Sequence, residues 1–81
     1  MALENLVRKV YFEQTEHYLS ESKPELVKID RMAPYHAANA AQKLLRDAAF
    51  WAQEAGVTTN HPMLWMTTTK LFGALVWRAG I

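Results

Sequence analysis

Residues 34–56 read PYHAANAAQKLLRDAAFWAQEAG, and this stretch decides the fold. Proline suits the first turn of a helix, alanine is the strongest helix former, and Gly56 can take the left-handed conformation that ends one. Placed at about 100° per residue, Ala37, Ala41, Leu44, Leu45, Ala48, Trp51, Ala52 and Ala55 share one arc. His36, Asn39, Lys43, Arg46, Asp47 and Glu54 take the other side. The spacing predicts one helix over residues 34–55, with an alanine face that lets a neighbouring helix approach closely.

Downstream, residues 62–79 carry a second pattern. Leu64, Trp65, Thr68, Leu71, Phe72, Leu75, Val76 and Ala79 recur every three or four residues, the stripe of a helix facing a core. The β-branched run Thr67–Thr69 weakens helix propensity and is a point where the segment can divide, with Thr67 as a cap. RAGI at the end of this segment repeats EAGV at the end of the previous one, a glycine cap followed by an aliphatic residue that can fold back. Upstream, Leu3, Leu6, Val7, Val10 and Tyr18, joined by Gln14, suggest a helix over about residues 2–20, with Phe12 and Leu19 on its opposite side. A strand over Val7–Phe12 is the rival there. Between these segments, Pro24 and Pro34 mark a joint. A short turn or strand around Leu26–Ile29 fits it, with Leu26 and Ile29 closing one end of the core. The expected architecture is an all-α, three-helix single domain spanning residues 1–81.

The chain has 81 residues, with nine Lys+Arg against eight Asp+Glu, a balance that lacks the basic footprint of a nucleic-acid binder. No cysteine is present, which removes disulfides, thiolate metal sites and thiol catalysis together. A domain this small relies on regular helix packing or on association with another chain. Charges at Glu4, Arg8 and Lys9 stand where a secretory signal needs its apolar core. The most apolar stretch, MLWMTTTKLFGALVWRAGI, is interrupted by threonines, Lys70 and Arg78 and is too polar to span a bilayer. The expectation is a cytoplasmic protein without a transmembrane segment.

Candidate chemistry is thin. Glu13 and His17 stand four apart, a metal-ligand spacing on a helix, but no third ligand has a predictable reason to join them. We read them as an exposed helix pair and expect no metal and no cofactor. Ser20 and Ser22 sit in a joint without a strand–turn–helix context, Thr67–Thr69 have no histidine at a motif distance, and the glycines form no phosphate-cradling loop. The sequence therefore reads as non-enzymatic. The two C-terminal helices and the VTTNH segment between them could imitate a helix-turn-helix, so a small DNA-binding regulator is the alternative.

Two aromatics do not fit the core stripes. Phe50 lies amid Arg46, Asp47 and Glu54, and Trp77 lies opposite the 62–79 stripe beside Met63, Met66, Lys70, Gly73 and Ala74. Clustered exposed apolar groups mark interfaces, where Trp and Met are favoured. Met63, Met66, Gly73, Ala74, Trp77 and Phe50 are thus the candidate partner-binding residues, for a protein partner or a second copy. The competing expectation is that the N-terminal helix covers Phe50 or Trp77.

The run KIDRMAPYHAANAAQKLLRDAAFWAQEAG followed by HPMLWMTTTKLFGALVWRAG, about residues 28–80, resembles small proteins from tailed phages of actinobacteria, most of all in KLLRDAAFWAQEAG. The resemblance implies expression in the cytoplasm of an infected bacterium and a role in host takeover or phage regulation. It carries over no functional residues.

Overall fold

In a computed structural model, residues 10–19 and 26–80 are described. Among them the chain forms a short β-hairpin, His17–Leu19 (β1) antiparallel to Leu26–Lys28 (β2), and a 3-10 turn at Ile29–Arg31. Four helices come next: Pro34–Arg46 (α1), Ala48–Glu54 (α2), Pro62–Thr68 (α3) and Lys70–Ala79 (α4). The chain is mainly helical, as the periodicity indicates. The three-helix count is corrected at each of its members, for a different physical reason each time.

The expected helix over residues 2–20 falls outside the described residues as far as residue 9. Residues 10–12 are helical, which excludes a strand there, but a turn then leads into β1. Gln14 makes that turn. Its Oε1 accepts from the Glu16 and His17 N–H groups at 2.9 and 2.8 Å, and its Nε2 donates to the carbonyls of Tyr11 and His17 at 3.0 and 2.6 Å. One side-chain amide thus meets the backbone groups a helix would otherwise have paired. The Tyr11 hydroxyl accepts from the Leu19 N–H at 2.9 Å and ties the strand back to the helical turn. Tyr18 faces the core opposite Val27. Ile29 is buried as expected, but Leu26 is exposed on the hairpin edge.

The 34–55 helix is interrupted at Asp47, whose φ of −99° and ψ of 22° depart from helical values. Aspartate is a poor interior residue for a helix, and its carboxylate here meets Arg46 at 3.4 Å. The break is slight, since Asp47 donates to Lys43 and accepts from Trp51, both at 3.0 Å. Ala37, Ala41, Leu44, Ala48, Ala52 and Ala55 are therefore buried as the arc predicts, joined by Ala40, while Leu45 and Trp51 are half-buried against the core. The small kink lets α1 pack chiefly on α4 while α2 packs on α3. Gly56, at φ +72°, ends α2: Val57 donates to the Ala52 carbonyl at 2.8 Å, Gly56 to Gln53 at 3.1 Å, and Val57 packs on the core.

The 62–79 segment divides at Thr69, two residues beyond the cap expected from sequence. The hydroxyls of Thr67, Thr68 and Thr69 donate to the carbonyls of Leu64, Trp65 and Met66 at 2.7, 2.6 and 2.8 Å, meeting acceptors that the end of α3 leaves open. Thr69 also caps α4 by accepting from the Phe72 N–H at 3.2 Å, with an extended ψ of 148°. Thr69→Ala is expected to cost about 1 kcal/mol and Thr69→Ser almost nothing, read from urea midpoints. Equal midpoints for the alanine variant and wild type would rule the cap out.

Candidate protein-binding surface

The extended residue at position 69 changes which side of α3 faces inward. Along an unbroken helix Leu64 would point to the core and Met66 away from it. In the structure Met66 is 0% exposed, enclosed in the core with Leu44, Leu71 and Leu75, while Leu64 is 65% exposed. Met66 is therefore removed from the candidate surface and Leu64 added. Thr68, placed on the inward stripe by periodicity, is also exposed. Pro62 at the first turn, half-buried Trp65 and Met66 form the inner side of α3, so Met63 and Leu64 project outward together.

Helix α4 keeps its expected facing. Leu71 and Leu75 are fully buried, Phe72 and Val76 half-buried, and Lys70, Gly73, Trp77 and Gly80 exposed along the outer side. Trp77 is 83% exposed, and a Cβ on Gly73 would stand in open space beyond its own helix. The helix thus presents a large indole one turn from an exposed glycine. Ala74 is half-buried and packs against the core, so it borders this surface without forming it. Arg78 turns back: its Nε donates to the Met32 carbonyl at 2.8 Å and fastens the end of α4 to the turn before α1. Lys70 is then the cation left on the outer side of α4.

Phe50 is 55% exposed on α2, its ring edge-on to Trp51 at 5.0 Å. Trp51 belongs to a chain of packed aromatic rings in which Phe12 touches both Trp51 and Trp65, at 5.8 and 5.3 Å. Phe50 on α2 and Met63 and Leu64 on α3 are thus exposed apolar groups apart from Gly73 and Trp77, which lie on the outer side of α4. Sequence periodicity joins Met63 to Trp77 as one helical side, and Thr69 separates them. Tyr35, two thirds exposed at the start of α1, is not among the residues singled out from sequence, although the Ala37–Ala41–Leu44 arc leaves it outward.

Glu13 and His17 do not share a helix side, because the Gln14 turn lies between them and His17 is in β1. Instead Thr15, Glu16, His17, Lys28 and Asp30 line a depression beside the hairpin. Among the described residues no three His, Cys, Asp or Glu side chains gather in a way that could hold a metal ion. Nor is any helix among them long and apolar enough to cross a membrane. Comparison with protein-family models, with curated proteins and with solved structures finds no match to this chain.

Proposed function

We propose that the chain is a non-enzymatic protein-interaction module, with the outer side of α4 as its contact surface and Trp77 as the anchor. The observation that supports this most is Trp77 itself, 83% exposed on a well-packed helix. An indole left in water forfeits the burial that usually justifies its size, and buried tryptophans are typical hot spots of interfaces. Met63 and Leu64 on α3 and Phe50 on α2 are further exposed apolar groups that a larger partner would reach. The resemblance to actinobacterial phage proteins suggests that the module works in the infected host's cytoplasm, on a host factor or a phage protein. A helix-turn-helix regulator is less well supported: α3, in the place of a recognition helix, reads PMLWMTT without a charge, and Arg78 is engaged with Met32.

Immobilised protein is expected to retain a protein from actinobacterial host lysate, or a second copy, with Trp77→Ala weakening retention at least tenfold while helical circular dichroism persists. Leu71→Ala is the control for lost folding, since Leu71 is fully buried whereas Phe72 is only half so. Identical retention by wild type and Trp77→Ala would remove α4 as the contact surface. Tight, salt-resistant binding to a DNA duplex would favour the regulator instead.

A further inference from the structure

The geometry points to a rotary switch built into the fold: α3 turns about Thr69 between the divided arrangement and one continuous helix over residues 62–79, exchanging Met66 for Leu64 in the core. The switch is independent of what meets the outer side of α4. Two observations lead to it. The sequence carries an unbroken apolar stripe, in which Leu64 and Thr68 stand in angular register with Leu71 and Leu75. The structure nevertheless leaves Leu64 65% exposed and encloses Met66, which that register sets on the opposite side. One chain thus encodes one facing of α3 and adopts another.

The difference rests on a single torsion. Thr69 has φ −74°, already close to helical, and ψ 148°, so a change in ψ alone joins α3 to α4. Neither proline nor glycine occurs between Met63 and Phe72, and nothing in the backbone bars that change. The hydroxyls of Thr67, Thr68 and Thr69 do not oppose it, because donation to a carbonyl one turn back is equally available inside a helix. The division gains the cap from Thr69 to the Phe72 N–H. It forfeits the pairing of the N–H groups that open α4 with the carbonyls that close α3. The core composition barely changes, since leucine for methionine is a volume-conserving exchange beside Leu44, Leu71 and Leu75. Thr68 would enter with its hydroxyl already paired to the Trp65 carbonyl. Turning α3 sets Met63 and Met66 in line with Gly73 and Trp77, so the outer apolar side is short in one arrangement and full-length in the other.

Oxidation of the full chain by hydrogen peroxide, followed at each methionine by mass spectrometry, tests this. Met32 and Met66 are both buried. Global unfolding exposes both, whereas the turn of α3 exposes Met66 alone, so the rate at Met66 relative to Met32 reads the switch. Lys70→Pro is the decisive variant. It puts proline at the first position of α4, after a residue already extended as proline requires, and it forbids the continuous helix. Its Met66/Met32 ratio is expected to fall by about fivefold or more, because interior proline is the costliest residue in a helix. Thr69→Ala should raise the ratio about fivefold, the population equivalent of one lost N-cap. Adding Leu64→Ala to Thr69→Ala should cancel that rise, since the continuous form then has a gap in its core. An unchanged ratio in Lys70→Pro overturns the switch, because fraying of α3 exposes Met66 without residue 69 becoming helical. Should circular dichroism show that Lys70→Pro does not fold, the double variant decides: a rise that survives Leu64→Ala overturns the switch, and its loss supports it.

Discussion

Met66→Ala is expected to destabilise the fold by about 2–5 kcal/mol, whereas Leu64→Ala, two residues earlier, should change stability by less than about 0.5 kcal/mol. Met66 is fully enclosed, so truncation removes buried surface and leaves a cavity that neighbours such as Leu71 and Leu75 can only partly fill. Leu64 is largely exposed, and alanine matches leucine in helix propensity. Its carbonyl, which accepts from Thr67, is unaffected by the substitution. A domain of this size has a total stability of only about 5–15 kcal/mol, so the Met66 variant should lose much of its margin. Urea unfolding of the two variants checks the contrast. Were Leu64→Ala the more damaging, α3 would face as an unbroken 62–79 helix requires, and the division at Thr69 would be wrong.

Phe12→Ala is expected to cost about 3–5 kcal/mol. Its ring is 2% exposed and meets Tyr11, Trp51 and Trp65 edge-on at 5.0, 5.8 and 5.3 Å. Such pairs add about 0.5–1.5 kcal/mol beyond area burial, and here one ring joins α2 to α3 from outside both helices. Truncation should also diminish the near-ultraviolet circular dichroism of Trp51 and Trp65, since both lose a rigid neighbour. Phe50→Ala is the companion variant, because Phe50 touches Trp51 from the exposed side. Similar unfolding midpoints for the two phenylalanine variants would mean that Phe12 does not bridge the helices.

Helical periodicity and residues with special backbone preferences make most of the helical architecture legible in the sequence. Ala37, Leu44, Ala48 and Ala52 read correctly as inward because the small departure at Asp47 leaves the i to i+4 hydrogen bonds running, so the angular register carries through. Thr69 is different: an extended residue resets the register, and everything N-terminal to it in that segment rotates relative to α4. Leu64, Met66 and Thr68 depart from the periodic pattern for this one reason, while Leu71, Leu75 and Trp77 obey it. The glycine ends of α2 and α4 are readable because positive φ favours glycine. The hairpin is not. The turn that leads into β1 is built by Gln14, whose own backbone preferences do not mark a turn, and it is stabilised by four side-chain hydrogen bonds that exist only once residues 11–17 are assembled.

The link from Arg78 to the Met32 carbonyl joins residues 46 apart in sequence, with α2 and α3 lying between them. Bringing distant segments together carries an entropic penalty that rises with the logarithm of the intervening length. The contact between α2 and α3 closes only the short span around Val57–His61, so it can form early and cheaply. In entropic terms the α2–α3 contact closes the smallest of these loops, and the Arg78–Met32 clasp one of the largest. The helix carrying Trp77 is therefore held at its far end by a contact between segments distant in sequence, so the placement of its outer side depends on the whole span from Met32 to Arg78.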